Sequence, residues 1–229
     1  MAGVKRRRAR SPEDKAARRK AVLDEAWRLF QGGPWSGLTM AQVAQGIGLS
    51  KAALYRYFDT KETLFLAVEE AQLTLWLLEL GERLDALRRP SSAEQVAEVL
   101  SASLARRPAM ARLLALLHVE LEQNLQQAEA LRFKRALHAL LSRLGAQLAR
   151  AAGLASPEAG LRAALTLHAL IIGLWQLSDP PPQLARLLET GRLKELRVEF
   201  HPALREGAAA LLRGLASGRA LGAAHTATR

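Results

Sequence analysis

The sequence predicts an all-α protein: a small N-terminal three-helix unit followed by a larger helical body. Two observations carry that prediction. Leu and Ala dominate an apolar share of 49%, while aromatic residues make up only 5%, which is helix-forming composition. No run of alternating Val, Ile or Thr reads as a strand. The charge then divides the chain. Up to Lys61 there are 13 Lys and Arg against 5 Asp and Glu; beyond it there are 20 against 17. A basic quarter on a near-neutral body is the footprint of a polyanion-binding module. Charge alone does not separate DNA from RNA or an anionic membrane.

The 229 residues exceed one small domain and fall short of two large ones. The absence of Cys excludes disulfides, thiolate metal sites and Cys nucleophiles; it fits a reducing cytoplasm, where the protein is expected to work. The charged N-terminus lacks the apolar core of a signal peptide. The most apolar stretch, Ala163 to Leu177, contains Thr166 and His168 and stops at Asp179-Pro180. It is shorter than the roughly 20 residues a span needs, so it reads as a buried helix, with no membrane partner.

Residues 1–10 carry Lys5, Arg6, Arg7, Arg8 and Arg10 without apolar periodicity and read as a basic flexible arm, either a solvated tail or a contact to DNA backbone or minor groove. Ser11-Pro12-Glu13-Asp14 opens the first helix with a cap, a proline and two acids. Val22, Leu23, Ala26, Leu29 and Phe30 form its apolar stripe, and Gly32-Gly33-Pro34 ends it. Thr39 and Gln42 form a capping box for a helix over 40–47. Gly48 turns the chain, and Ser50 caps a third helix over 51–57. Asp59 or Thr60 caps a fourth, which runs to about Arg88 before Pro90. Later helices are expected at 92–106, 109–126, 128–152, 157–178 and 203–217, with a break at Asp179-Pro180-Pro181-Pro182. The organisation is thus an arm (1–10), a basic three-helix unit (11–60), a helical body (61–217) and a flexible tail (218–229).

Residues 39–57 hold the main functional signal. Ala44 is small where a second helix must cross, and Gly48 suits a left-handed turn. Val43, Ile47, Leu49 and Leu54 would pin the pair to the first helix. This is helix-turn-helix logic, in which the second helix enters the major groove. Ser50-Lys51-Ala52-Ala53 lets the backbone approach base edges, while Ser50, Lys51 and the helix start can hold phosphate. Tyr55, Tyr57 and Lys61 add further polar groups; the tyrosines also fit ordinary core aromatics, and Leu54 and Phe58 read as core. The run from Gly48 to Phe65, together with Thr39 to Ala44, resembles the signature of the TetR family of transcriptional regulators. The resemblance covers about residues 15–66. It implies an all-α homodimer, a usually palindromic double-stranded DNA operator, and release from DNA on binding a small molecule. It also implies phosphate contacts from Thr39, Ser50, Tyr55, Tyr57 and Lys61, with Lys51, Ala52 and Ala53 at or near the bases.

The body is less legible. The resemblance suggests that the 157–178 helix, with Leu161, Leu165, Ile172 and Trp175, and the 203–217 helix, with Leu204, Leu211 and Leu212, pair across a four-helix dimer interface. One intramolecular core is the alternative. Candidate effector-binding groups are His118 and Glu122 at i,i+4, Asn124, His138, and His168 with Trp175, with Trp76 as a further wall. A lone His on an apolar helix also fits a satisfied core position, and His118 with Glu122 lacks a third metal ligand. No metal or cofactor is expected. An enzyme would need a phosphate loop, an H-E-x-x-H or an Asp-rich metal motif, and none occurs. A non-specific architectural DNA binder would not need so large a near-neutral body. The sequence therefore points to a ligand-responsive DNA-binding repressor.

Overall fold

The computed structural model describes residues 11–116 and 125–217. Among them every regular element is helical. Helix α1 (Pro12–Gly32), α2 (Met40–Gly46) and α3 (Lys51–Leu54) form the N-terminal unit. The body comprises α4 (Lys61–Asp85), α5 (Ala93–Ala105), α6 (Pro108–Leu116), α7 (Gln127–Ala152), α8 (Pro157–Ser178), α9 (Pro182–Leu187) and α10 (Phe200–Ala216). Two short 3-10 turns, Trp35–Gly37 and Gly191–Leu196, lie in connections.

The local signals act where the sequence places them. The Ser11 hydroxyl accepts from Asp14 N at 3.1 Å, with Pro12 in the first turn. Thr39 and Gln42 complete a capping box: Thr39 N donates to Gln42 Oε1 at 2.8 Å, and Gln42 N donates to Thr39 Oγ1 at 3.3 Å. Thr60, not Asp59, caps α4 through Thr63 N at 3.1 Å. Gly33 is extended at φ −163°, so α1 ends without the left-handed glycine that a Gly-Gly-Pro run suggests.

Helix α4 joins the two units. Its first turns bury Leu64, Phe65 and Val68 at the N-terminal unit, and its later turns bury Leu73, Trp76, Leu77, Leu80 and Leu84 in the body. There it meets α7, and α7 meets α8 more closely still. A Cβ on Gly145 would lie 2.6 Å from Leu161 N and 2.7 Å from Gly160 C. Only glycine at this crossing lets the two backbones approach so far. Leu204 and Leu212 of α10 are fully buried against the body. They belong to the chain's own core, which corrects their assignment to a dimer face.

Helix α8 also departs from the expected buried helix. By length and composition it would suffice to cross a membrane, yet only 28% of its most apolar window is buried. One face, with Ala163, Ala164, Leu167 and Ile171, packs on α6, α7 and α10. The other leaves Leu165 at 49% and Leu177 at 59% exposure. A continuous apolar stretch satisfies two faces, and the fold of one chain covers only one of them.

Candidate nucleic-acid interface and the cleft behind it

Helices α2 and α3 are set by a few buried contacts. Val43 and Leu54 are fully buried, Ala44 nearly so, and Ile47 and Leu49 pack partly against the same core. Gly48 adopts φ +64°, where a side chain would be strained. The turn closes with Gly48 N donating to Gln45 O at 3.0 Å and Leu49 N to Ala44 O at 2.8 Å. Ser50 then caps α3, accepting from Ala53 N at 3.2 Å.

Helix α3 is shorter than the expected 51–57. After Leu54 the chain tightens: Tyr57 N and Phe58 N both donate to Leu54 O, at 2.9 and 3.2 Å. This turn carries Phe58 into the core, where the Arg19 guanidinium lies 4.9 Å from its ring centre. The same turn leaves Tyr55 at 38% exposure, with the Lys51 ammonium 5.8 Å from its ring centre. Thr39, Ser50, Lys51, Ala52 and Arg56 are exposed, and Ala53 and Tyr57 are half-buried. Leu54 and Phe58 are core residues, as the pattern suggests.

Lys61 is placed differently from its expected phosphate-facing position. Its ammonium donates to Trp35 O at 3.1 Å and Leu38 O at 3.2 Å, and sits 3.7 Å from the centre of the Trp35 ring. The Trp35 carbonyl already accepts from Leu38 N at 3.2 Å within the 3-10 turn, and a lysine at the start of α4 reaches both it and the Leu38 carbonyl. In the free protein Lys61 therefore staples the α1–α2 connection onto α4.

Behind the reader lies a half-open cleft of about 720 Å³, between α1, α4, the α5–α6 corner and the end of α8. Trp27 and Trp175 are among its walls, and Arg106, Arg107 and Arg112 bring it positive charge. Arg107 pairs with Glu79, which Arg83 also contacts at 3.0 Å. The Arg107 hydrogen bond holds the Glu79 carboxyl below the ordinary carboxylate range. Arg112 donates to Phe30 O, and its guanidinium carbon lies 4.3 Å from the centre of the Phe30 ring. Its buried Nε has no hydrogen-bond partner among the described residues. Arg106 and Asp179 are exposed at the mouth.

Of the expected effector-binding residues that are described, Trp175 alone lines this cleft, its ring packed edge-on against Phe200 at 5.4 Å. Trp76 is 3% exposed and its indole donates to Ser103 Oγ at 2.9 Å. It ties α4 to α5 rather than walling this cleft. His168 is half-buried on α8 and His138 is exposed on α7. His118, Glu122 and Asn124 lie outside the described residues. The sequence reading missed Trp27 and the arginines. Arg106-Arg107-Pro108 at a helix corner was the available signal, since Pro108 fixes where the preceding basic pair must turn.

Comparison with known proteins agrees with this geometry. Residues 22–68 match the model described as bacterial regulatory proteins of the tetR family. Residues 70–219 match the tetracyclin repressor-like C-terminal domain. The HTH-type transcriptional regulator RutR of Escherichia coli K12 is 38% identical over 65 residues, 28% of this chain and 31% of RutR. The nucleoid occlusion factor SlmA of Shewanella amazonensis is 28% identical over 106 residues, 44% of this chain and 52% of SlmA. The chain thus spans between about a third and a half of these curated relatives. A possible TetR family regulator from Streptomyces coelicolor A3(2) superposes with TM-score 0.55 at 21% identity, covering 88% of this chain and all of that one. A TetR regulator from Rhodococcus sp. RHA1 gives 0.51 at 23%, covering 88% and 99%. These two share the fold. With a family model over more than half its length, the chain belongs to the TetR family of DNA-binding transcriptional regulators, which are not enzymes.

Proposed function

We propose that this protein is a cytoplasmic, homodimeric repressor that binds a palindromic double-stranded DNA operator and is released by a small-molecule effector. The observation that carries the reading is the capped pair α2–α3, held by buried Val43, Ala44 and Leu54, with Ser50, Lys51 and Ala52 left exposed at the start of α3. Lys51, Ala52 and Ala53 approach the bases, and the methyl side chains of Ala52 and Ala53 let the backbone come close. Thr39, Ser50, Tyr55 and Tyr57 hold phosphates. Lys61 positions the reader from behind while its ammonium stays on the Trp35 and Leu38 carbonyls. Dimerisation is supported by the uncovered face of α8, where Leu165 and Leu177 stay exposed in one chain. Two readers on one dimer would address half-sites about 34–36 Å apart.

The test is selection of bound DNA from a random pool by the purified protein at moderate salt. Recovery of a two-fold symmetric sequence supports the reading and supplies the operator. Recovery of no motif, with binding that competes equally against any duplex, replaces it with non-specific architectural binding.

A further inference from the structure

We propose that the cleft between reader and body is an effector site for a planar aromatic carboxylate bearing a hydrogen-bond donor. This effector role rests on the DNA-reading function proposed above. The cleft is large enough for a small organic ligand. It touches α1 of the reader as well as α4, α6 and α8 of the body. Indole rings from α1 (Trp27) and α8 (Trp175) offer apolar surface for a flat ring system.

Charge selects the headgroup. Glu79 is already engaged by Arg107 and Arg83, so that pair adds little net field. Among the described residues, two guanidiniums have no carboxylate partner: Arg106 makes no ion pair there, and Arg112 is held by a neutral carbonyl and an aromatic ring. Against them stands one carboxylate, Asp179, which would repel a second anion and instead accept from a ligand O–H or N–H. A carboxylate offered to Arg112 supplies the acceptor that its buried Nε lacks. By contrast, the groove between α5 and α10 has both its arginines engaged, Arg213 with Glu94 and Arg205 with Glu98 at 3.6 Å, and adds the carboxylate of Glu206, so it offers an anion no comparable anchor.

Occupancy has a direct route to the reader. Arg112 grips the carbonyl of Phe30 near the end of α1. A ligand carboxylate competes for that guanidinium, so filling the cleft loosens the hold of α6 on α1.

The experiment is calorimetric titration of the full chain with 6-hydroxy-2-naphthoate and, separately, with its uncharged amide. Saturable binding of the acid, at least tenfold tighter than the amide and at least tenfold weaker in Arg106→Ala, is the expected result. Arg112→Gln should weaken binding as well; Arg106 lies at the exposed mouth, so its variant keeps the test open should Arg112→Gln fail to fold. Equal affinity for acid and amide, no binding at millimolar acid, or unchanged affinity in a folded Arg106→Ala overturns the site. With a selected operator in hand, the acid should weaken DNA binding at least fivefold. Binding with no such change overturns the effector role. Failure to select any operator while the acid still binds through Arg106 would remove the repressor reading and leave the site standing.

Discussion

Replacing Lys61 with Met separates two roles that the sequence alone does not distinguish. Met keeps the length and apolar stem of Lys and removes the charge. The perturbation deletes hydrogen bonds of 3.1 and 3.2 Å to Trp35 O and Leu38 O, and a cation 3.7 Å from the Trp35 ring centre. Hydrogen bonds from a charged donor contribute about 1.5–3 kcal/mol each, and a cation–π contact about 0.5–1 kcal/mol at an exposed site. The site is only part-buried, so water replaces much of what is lost, and the expected net cost is about 2 kcal/mol. In urea, with a slope of about 2 kcal/mol per molar, the midpoint falls by about 1 M. Far-UV circular dichroism at one fixed protein concentration measures it, because the proposed dimer would couple stability to concentration. Operator affinity should fall through the loosened α1–α2 connection, while its salt dependence changes little. An unchanged urea midpoint, together with a log K against log salt slope smaller by about one, would refute the staple and return Lys61 to a phosphate contact.

Tyr57→Phe should weaken operator binding about fivefold with the thermal midpoint unchanged, since the half-buried ring stays and only a hydroxyl goes; fluorescence anisotropy at fixed salt reads it, and unchanged affinity would end its phosphate role. Gly145→Ala should destabilise the protein by about 2 kcal/mol despite the better helix propensity of Ala. To restore an ordinary 3.4 Å contact from 2.6 Å, α7 and α8 must part by most of an ångström. Gly214→Ala, whose new methyl meets nothing within 4 Å, serves as the control and should be neutral or stabilising. The double variant Leu165→Asp, Leu177→Asp should sediment as a folded monomer, because both positions are exposed in one chain; a persistent dimer would move the interface off this face of α8.

The N-terminal unit was legible because its determinants are local. Ser11, Thr39 and Ser50 each act on an amide three residues away, and Gly48 acts within its own turn. The length of α3 was not legible. The run to Tyr57 looks helical, yet the need to bury Phe58 tightens the chain after Leu54. Lys61 shows the same limit: its partners lie 26 and 23 residues away, and an exposed-looking basic residue gives no hint of them. The cleft was hardest to foresee, since Trp27 and Trp175 line one cleft only once α1, α4 and α8 are packed. The Leu-rich helices gave periodicity but not partners. Leu204 and Leu165 look alike in sequence, yet one is fully buried and the other about half exposed.

A contiguous route joins Arg112 to Lys61. Arg112 lies over Phe30; Phe30 meets Phe65 at 5.7 Å between ring centres; Phe65 meets Trp35 edge-on at 4.9 Å; and Trp35 carries Lys61. Both ends are cations that grip backbone carbonyls, one near the end of α1 and the other on the connection into α2. Between them, α1 is fixed to α4 by large buried rings that leave little room for gradual adjustment. A change at the Arg112 end must therefore be met by a shift of α1 as a body or not at all. Such a shift would carry α2 and α3 with it, because Val43 and Leu54 belong to the same core as Phe30. If the route does couple, Lys61→Met should reduce the loss of operator affinity caused by an acid bound at Arg112, while leaving the affinity of the acid for DNA-free protein intact. A bystander Lys61 would lower operator affinity by the same factor with and without the acid, and a double-mutant-style comparison of the four affinities distinguishes the two.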